Sequence, residues 1–442
     1  MVFSNILDID LEGLSQSELY QRVDKKKLLE QAKYILENSD FYAKKLKHFK
    51  NAKQLVDNFD SVPFTDKNEI IQDQIKFPPF GSNLCVKKEL ISRIHRTSGT
   101  TGRPVYIALT KNDIKAVIAS GARTFWASGL RPKDTVFHCL NYCMWMGGFT
   151  DHQSLEATGA TVVPYGVGNS NNLIELILSI KPTAIHCTVS YMAKLELLLE
   201  NEFKIHPADL GLKIGLFAGE GGIQNPNFRR KIEHIWGLKA MDANYGVSDV
   251  LSMFGGECLQ QNGLHFTGQG NVHVELIDSD SGVKLPIEKG VRGEFVLSNI
   301  NRESQPLIRF RTCDAVEIIS HTKCRCGRQS FRFKILGRSD DMIVVKGINI
   351  FPGAVGSVIL DFLSQVTGEF QVIVKKQNPV EYIKVMVESK EDNKADGWNL
   401  LQSQIERKIK DKLEVKAHIE LVPKGSLPRT EGKIRRLVWC HD

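Results

Sequence analysis

The chain has 442 residues, of which 42% are hydrophobic and 25% charged, a balance that supports a large buried core and excludes disorder. Its 58 basic and 51 acidic residues are well mixed, and the net charge of +7 suits anionic small molecules better than nucleic acid. No apolar run of about eighteen residues appears, so we expect no membrane span. Nine cysteines without a signal-peptide pattern at the N-terminus indicate thiols or metal ligands in a cytoplasmic protein.

The predicted elements follow the chain in three blocks. Residues 1–90 show helical spacing of apolar residues, as at Leu28, Ala32 and Ile35, and predict a helical surface layer. From about residue 91 to 330, short β-branched runs alternate with helical stretches, which is typical of a layered α/β body. Strands are predicted at 135–137, 161–163 and 184–186, with helices at 173–180 and 192–199.

The last block is about the size of a small domain. A helix is predicted at 354–363, strands at 370–374 and 383–387, a helix at 398–413 and a strand at 418–422. The predicted fold class is therefore α/β, with a large layered α/β domain over residues 1–336 and a small α+β domain over residues 337–442.

A loop dense in serine, threonine and glycine spans Arg96–Pro104. Its hydroxyls and unobstructed backbone N–H groups could wrap a polyphosphate. It lacks the Gly-Lys-Ser/Thr ending of the common phosphate-binding loop. On turn chemistry alone, a plain flexible turn explains the loop equally well.

Five further segments decide between these interpretations. They are Tyr245–Asp249, Arg309–Asp314, Gly337–Ile343, Gly347–Pro352 and Pro428–Lys433. In this order and spacing the chain resembles the adenylate-forming enzymes, and within them the phenylacetate–CoA ligase branch, from about residue 60 to the C-terminus. The resemblance implies an ATP-dependent acid–CoA ligase that activates an aromatic or related carboxylate as an acyl-adenylate and releases AMP and pyrophosphate.

The resemblance also implies the residues that bind ATP. The loop would hold the β- and γ-phosphates, and the predicted residues are Ser98, Gly99, Thr100, Thr101 and Gly102, with Thr100 also catalytic. Adenine would lie between two segments, formed by Gly219 and Glu220 on one side and by Asn244, Tyr245 and Gly246 on the other. A tyrosine face suits a purine because a flat apolar ring stacks on it. Asp314 would accept hydrogen bonds from the ribose hydroxyls, with Arg338 beside it.

Lys433 is the implied catalytic lysine, bridging the substrate carboxylate and the α-phosphate. A fixed cation is needed there because a carboxylate that attacks a phosphate brings two anions together. CoA would then displace AMP after a rotation of the C-terminal domain about a hinge at Asp340, which brings Lys346–Gly347 towards the CoA tunnel.

Two positions depart from the family pattern. Asp249, expected to assist catalysis through Mg²⁺, stands where glutamate is usual and is one methylene shorter, so a water fills the gap or magnesium binding weakens. Cys313 stands where glycine is usual, and its side chain would shift Asp314 if the backbone there requires a positive φ.

The resemblance to this branch implies a structural zinc, with Cys324 and Cys326 as one ligand pair and Cys258 and His265 as the other. Three thiolates and an imidazole fill all four positions of a tetrahedral zinc ion. Such an ion would hold loops together and would not take part in catalysis. His321 is the rival fourth ligand, and free surface thiols are the alternative to a metal.

The resemblance also implies that the acid binds between the segment before a Gly-Gly pair and the loop that carries the adenine residues. The predicted lining residues are Tyr142, Trp145, Met146, Gly147, Gly148 and Ala218. Tryptophan and methionine beside glycines could enclose a flat ring, although core packing uses the same residues. No basic residue lies in Asn141–Phe149, which favours a monocarboxylic acid.

Two alternatives share these motifs. An adenylyl-transfer enzyme would consume ATP without CoA, and a degenerate acyl or nucleotide binder would form no AMP. The expected partners are the acid, ATP, and CoA or a carrier-protein thiol, with a homodimer as the expected assembly and neither nucleic acid nor membrane as a partner.

Overall fold

The computed structural model describes residues 4, 6–97, 103–338, 343–345, 348–375, 382–391, 397–428 and 436–440. Among these residues, no helix combines the length and the apolar character needed to cross a membrane.

The N-terminal block is a layer of helices, as predicted. They are α1 (Ile9–Glu12), α2 (Gln16–Leu19), α3 (Lys25–Asn38), α4 (Asp40–Lys45), α5 (Ala52–Asp57) and α6 (Lys67–Lys76). Leu28, Ala32 and Ile35 lie on one face of α3 and are fully buried, so that face packs on the body of the protein. Asp66 and Glu69 form a capping box that starts α6 and fixes Lys67 in its first turn.

A hairpin follows the helical layer. Strands β1 (Arg93–Arg96) and β2 (Tyr106–Leu109) pair antiparallel, so the predicted phosphate loop joins their adjacent ends.

The centre of the molecule is a parallel αβ unit. Its strands are β3 (Thr135–His138), β4 (Thr161–Val163), β5 (Ala184–Cys187), β6 (Ile214–Ala218) and β7 (Lys239–Val247). Its helices are α7 (Lys111–Ala127), α8 (Met146–Glu156), α9 (Ser170–Ile180), α10 (Val189–Leu198) and α11 (Pro226–Trp236). Parallel pairing joins these strands in the order β4-β3-β5-β6-β7, which aligns their carboxyl ends along one edge.

Antiparallel strands extend this sheet beyond β7. They are β8 (Leu251–Glu257), β9 (Leu264–Phe266), β10 (Val272–Ile277), β11 (Lys284–Leu285), β12 (Arg292–Asn299), β13 (Phe310–Ser320) and β14 (Arg332–Arg338). The combined twelve-stranded sheet has the order β11-β10-β12-β13-β14-β9-β8-β7-β6-β5-β3-β4. Buried phenylalanines at 254, 266, 295, 331 and 333 fill the core of this part.

The C-terminal block has its own core around a smaller sheet. Its elements are β15 (Ile343–Val345), β16 (Ile348–Ile350), α12 (Pro352–Ile359), β17 (Val366–Lys375), β18 (Ile383–Ser389), α13 (Gly397–Leu413), β19 (Ala417–Val422) and β20 (Leu437–Cys440). Four strands pair in the order β19-β18-β17-β20. The elements predicted here are confirmed, except that α12 ends at Ile359 and continues as a 3₁₀ turn, and strands β15, β16 and β20 were not predicted. The predicted fold class is confirmed.

Candidate active site

The hairpin β1–β2 holds the two ends of the predicted phosphate loop together. Residues Ser98–Gly102, including Thr100, lie outside the described residues. On either side of them, the Thr97 amide donates to the Val105 carbonyl at 3.0 Å, and the Val105 amide donates to Thr97 Oγ1 at 2.9 Å. The Arg96 amide donates to the Met144 carbonyl at 3.0 Å, so the loop begins beside the predicted acid-pocket segment.

Three predicted nucleotide-binding residues meet at one point. The Tyr245 hydroxyl donates to Asp314 Oδ2 at 2.7 Å, and Arg338 Nη1 lies 3.2 Å from Asp314 Oδ1. Asp314 and Arg338 are paired in the β13–β14 register, while Tyr245 reaches them from β7. The Asp314 carboxylate is therefore held from two sides in a fixed orientation.

Tyr245 is anchored by its ring as well as by its hydroxyl. The ring packs edge-to-face against Phe254 and Phe333, with centroids 5.0 and 5.5 Å away. Burial raises the pKa of Tyr245 well above its ordinary value, so the phenol stays protonated and donates to Asp314. Gly246 is required beside it, because a Cβ there would lie 1.9 Å from the Ser252 carbonyl oxygen.

The two predicted adenine segments are neighbours in the sheet. Ala218 at the end of β6 pairs with Asn244 on β7, and Gly219 follows with φ of 79°, a conformation that favours glycine. The Glu220 carboxylate turns away to cap α10, where it accepts hydrogen bonds from the Ser190 amide at 3.1 Å and the Ser190 hydroxyl at 2.9 Å. Burial raises the pKa of Glu220. The carboxylate of Glu220 therefore serves to position the loop.

A buried polar chain connects the nucleotide and acid segments. Asn244 Nδ2 donates to Asp151 Oδ2 at 2.6 Å, and His186 Nε2 lies 3.8 Å from the same oxygen. His138 and His186 share a contact of 2.8 Å between their Nδ1 atoms, and His138 Nε2 lies 2.7 Å from the Gly148 carbonyl oxygen. A carbonyl only accepts, so His138 carries its proton on Nε2 and accepts at Nδ1 from His186.

Burial keeps this chain uncharged. It raises the pKa of Asp151 well above its ordinary value, lowers that of His186, and lowers that of His138 to about 4. The hydrogen bond between His138 and the Gly148 carbonyl fixes the position of the Gly147–Gly148 turn.

The predicted acid-pocket residues lie close together but differ in their surroundings. Trp145 is half-buried, and its Cη2 lies 3.9 Å from the position of a Cβ at Gly219, so the indole faces the adenine loop. A Cβ at Gly148 would lie 2.1 Å from the Asn141 carbonyl oxygen, which makes glycine necessary for the turn. The Tyr142 hydroxyl lies 3.0 Å from His152 Nδ1.

Met146 and Ala218 are buried more deeply than Trp145. Met146 packs with Ile107 and Leu109 of β2 in the core, and Ala218 is 2% exposed. Trp145 and Tyr142 are therefore the partly exposed aromatic members of the set.

Asp249 has a partner that the sequence did not indicate. Its Oδ2 lies 3.1 Å from Lys67 Nζ, and its Oδ1 is buried without a hydrogen-bond partner among the described residues. The carboxylate also lines a cavity of about 20 Å³ beside Tyr106 and Ile107 of β2. One oxygen therefore remains for a metal ion, which fits the one or two carboxylates that Mg²⁺ takes from a protein beside substrate phosphates.

The expected positive φ at Cys313 is present, at 59°. The Cys313 amide is held by Glu294 Oε1 at 3.1 Å. Asp314 nevertheless reaches both Tyr245 and Arg338, so the departure from glycine leaves its contacts in place.

The four predicted zinc ligands form one buried cluster. The ligand atoms of Cys258, His265, Cys324 and Cys326 all lie within 4.8 Å of one another, and His321 is not part of the group. The Cys258 and Cys324 sulfurs are 3.9 Å apart, and Cys326 Sγ lies 3.5 Å from His265 Nε2. Tetrahedral zinc with bonds of about 2.3 Å to sulfur and about 2.0 Å to nitrogen separates its ligands by roughly 3.5–3.8 Å. The residues therefore fit a tetrahedral metal.

The surroundings of the cluster support metal binding. His265 Nδ1 lies 3.2 Å from the Ser330 hydroxyl, leaving Nε2 for the cluster. The Arg328 guanidinium contacts Cys326 Sγ at 3.7 Å and pairs with Glu12 at 2.5 Å, both fully buried. Hydrogen bonds from Cys258 and His265 lower the pKa of Cys326, which favours the thiolate.

Sequence comparison places the chain in a family. Residues 19–301 match the AMP-binding enzyme family, and residues 347–439 match the AMP-binding enzyme C-terminal domain. The chain therefore belongs to the AMP-binding enzyme family, and the predicted resemblance is confirmed.

Relatives and solved structures identify the reaction. The chain is 30% identical to a phenylacetate–coenzyme A ligase of Thermus thermophilus, over 97% of this chain and 98% of the relative. It is 29% identical to the phenylacetate–coenzyme A ligase of Escherichia coli, over 99% and 98%. A 2-hydroxyisobutyryl-CoA ligase solved in the postadenylation state with 2-HIB-AMP has a TM-score of 0.90 at 26% identity, covering 100% of this chain and 93% of that one. The prediction of an AMP-forming acid–thiol ligase, which uses ATP and CoA, is confirmed.

Sequence reasoning missed the residues that support the predicted set. His138 is the last residue of β3 and His186 the last but one of β5, and a polar residue near the carboxyl end of a parallel strand is a signal that could have found them. Asp151 and Lys67 gave no comparable signal in the sequence. Asp151 is placed by helix α8, and Lys67 by the capping box of α6, which is far from the site in the sequence.

Proposed function

We propose that this ligase activates an aromatic or related monocarboxylic acid. The observation that carries the proposal is the half-buried Trp145 indole facing Gly219, on the loop whose preceding residue Ala218 pairs with Asn244 of the strand that carries Tyr245. A flat ring at the edge of the nucleotide site would cover an aryl group attached to the adenylate. The relatives that act on phenylacetate favour the same class of acid.

In this proposal, the residues of the nucleotide cluster orient ATP. Asp314, held by Tyr245 and Arg338, accepts from the ribose hydroxyls, and the backbone of the 218–220 and 244–246 segments encloses adenine. Ser98–Gly102 holds the β- and γ-phosphates. Asp249 offers its remaining oxygen to Mg²⁺, which would offset phosphate charge when bound.

Lys433 completes adenylation in the same proposal, although it lies outside the described residues. Its ammonium would bridge the acid carboxylate and the α-phosphate and stabilise the charge that develops as they react. The CoA thiol then displaces AMP, a good leaving group, so none of the nine cysteines has to be a nucleophile.

We propose that residues 1–336 and 337–442 form the two domains and that they change their arrangement between the half-reactions. The TM-score falls from 0.90 against the postadenylation state of 2-hydroxyisobutyryl-CoA ligase to 0.71 against its thioesterification state. Asn225 Nδ2 donates to the Ser357 carbonyl at 3.0 Å, and Asn227 donates to Asp361 at 2.8 Å, contacts that link the two units. The proposed hinge, Asp340, and the Lys346–Gly347 segment lie outside the described residues.

Zinc is the metal we propose for the Cys258–His265–Cys324–Cys326 cluster. Three sulfurs and one imidazole nitrogen leave no open position, so the ion would hold the β8–β9 and β13–β14 connections together. A cytoplasmic location, a homodimer and a carrier-protein thiol as an alternative acceptor remain predictions.

The deciding experiment measures AMP release from ATP across a panel of acids, with and without CoA. Phenylacetate and other aryl acids are compared with 2-hydroxyisobutyrate and short fatty acids. We expect AMP only when an aryl acid and CoA are both present, with the highest kcat/KM for the aryl acid. Preference for the short hydroxy acid would refute the pocket assignment while leaving the ligase in place.

The same panel separates the two alternatives. ATP consumed with release of pyrophosphate, but without free AMP and without a requirement for CoA, would indicate adenylyl transfer, because the AMP group then stays on the acceptor. No AMP with any acid, combined with measurable ATP binding, would indicate a degenerate binder.

A further inference from the structure

A second cavity lies at the far end of the β13–β14 hairpin from the nucleotide cluster. It is open to solvent and has a volume of about 470 Å³. Its walls are formed by the turn after β8 and the turn after β13, and the lining residues are Gln260, Asn262, Lys323, Cys324, Arg325 and Arg332. Three of the six are cationic and none is a carboxylate, so positive charge is in excess along the lining.

Arg332 distinguishes this cavity from an ordinary basic surface. The described residues contain six buried arginines, at positions 123, 229, 302, 309, 328 and 332. The first five each have a carboxylate within 2.5–3.7 Å. Arg332 is 8% exposed and has no such partner among the described residues.

The hydrogen bonds of Arg332 are also incomplete. Its Nη1 lies 3.4 Å from the Asn262 carbonyl oxygen, and its Nε is buried with no hydrogen-bond partner in the described part of the chain. A buried guanidinium normally has a paired anion, because the cost of removing it from water is otherwise not offset. The guanidinium of Arg332 on the cavity wall therefore favours an anion as a ligand there.

The metal cluster does not supply enough negative charge to be that partner. Three thiolates and a divalent ion leave a single negative charge, and Arg328 already contacts Cys326. Lys323, Arg325 and Arg332 together carry three positive charges, so an excess of two remains. A phosphoryl group, with a charge of about −1.5 to −2 near neutral pH, matches this excess.

The cavity is separate from the nucleotide site. Asp314 pairs with Arg338 at one end of the hairpin, and Ser320 pairs with Arg332 at the other. Six residues of extended strand span roughly 20 Å. Arg332 and the nucleotide residue Asp314 therefore lie at opposite ends of the hairpin, and the cavity is not an extension of the Asp314 site.

We propose that this cavity is a binding site for a small phosphorylated molecule, whose phosphoryl group is held by Arg332 with Lys323 and Arg325. The guanidinium offers a planar fork of donors that matches two phosphoryl oxygens. Gln260 and Asn262 add amide groups that can bind hydroxyls of the rest of the ligand. The volume lies within the range of about 300–1,000 Å³ that is usual for small-molecule sites.

Inorganic phosphate is the probe, titrated by calorimetry into the metal-containing full chain at constant ionic strength. R332Q removes the buried cation, and K323Q/R325Q removes two exposed ones without touching the core. The control, K26Q/K33Q, removes the same charge from the exposed face of α3. Metal content is measured in every variant because Cys324 lies between Lys323 and Arg325.

We expect R332Q and K323Q/R325Q each to weaken phosphate binding at least tenfold, with the control unchanged. Absence of phosphate binding by the wild type would overturn the proposal. An equal loss of phosphate affinity in the control would also overturn it, because binding would then depend only on net charge. No loss of affinity in K323Q/R325Q would overturn it as well, because the phosphate would then bind elsewhere. AMP release with acid and CoA is expected to persist in both cavity variants when phosphate is absent, so the proposed ligase reaction is judged separately.

Discussion

Replacement of Tyr245 with phenylalanine tests whether the Asp314 carboxylate is oriented for ATP. The variant removes one hydroxyl and keeps the ring that packs on Phe254 and Phe333. The lost hydrogen bond is 2.7 Å long and reaches a charged group, and such bonds contribute about 1.5–3 kcal/mol. Because Arg338 still contacts the other carboxylate oxygen, we expect the lower end, about 1.5 kcal/mol, or roughly a tenfold rise in the KM for ATP.

Initial rates of AMP release at varied ATP, with acid and CoA saturating, measure this change. The matched control is Tyr142→Phe, which removes a phenol hydroxyl that contacts His152 on the acid side. Its KM for ATP should equal that of the wild type. An unchanged KM for ATP in Y245F, or an equal rise in the KM for the acid, would refute the role of Tyr245 in holding Asp314.

Four further variants test other parts of the site. Lys433→Ala should abolish acyl-adenylate formation and spare thioester formation from supplied acyl-adenylate; equal loss of both steps in single-turnover assays would contradict its role. Cys324→Ser should reduce bound zinc from one equivalent to none, measured by elemental analysis, and a metal-free wild type would remove the basis of the zinc proposal. Cys313→Gly should raise the free energy of unfolding by about 0.5–1 kcal/mol in urea titrations, since φ is 59° there and glycine relieves the strain at some cost in chain entropy. Burial lowers the pKa of His138 from 6.5 to about 4, so its contribution to the free energy of unfolding is complete above pH 6.5 and is lost as the pH falls towards 4. His138→Gln should therefore reduce the acid-induced fall in the free energy of unfolding by about 3 kcal/mol. A fall equal to that of the wild type would show that His138 is not the group responsible.

The alternation of helices and strands in the parallel unit was predictable because most of its short apolar runs are largely buried strands, although β4 at the sheet edge is partly exposed. All four residues of β5 (Ala184–Cys187) are buried, as expected of a strand covered on both faces. The C-terminal elements were predictable for a related reason, since β19 (Ala417–Val422) alternates buried and exposed residues along most of its length.

Strands β8, β9 and β10 were harder to predict, because both of their faces are buried and some buried residues are charged. Strand β10 (Val272–Ile277) alternates apolar and polar residues, a pattern typical of a half-exposed strand. In the structure all six residues are buried, because Glu275 pairs with Arg309 and His273 lies beside Asp24. Partners that come from elsewhere in the chain cannot be found from local periodicity.

Asp249 shows the same limit at the site itself. The sequence has an aspartate where the family resemblance implies glutamate, so that either a water fills the gap or magnesium binding weakens. The structure adds Lys67, 182 positions earlier in the chain, with its ammonium on one carboxylate oxygen and the other oxygen buried and available. Lys67 therefore fixes the direction in which the shorter side chain points. The Asp249 carboxylate paired with Lys67 carries less net negative charge than an unpaired glutamate would. Measurements of magnesium dependence therefore have to include variants of both Asp249 and Lys67.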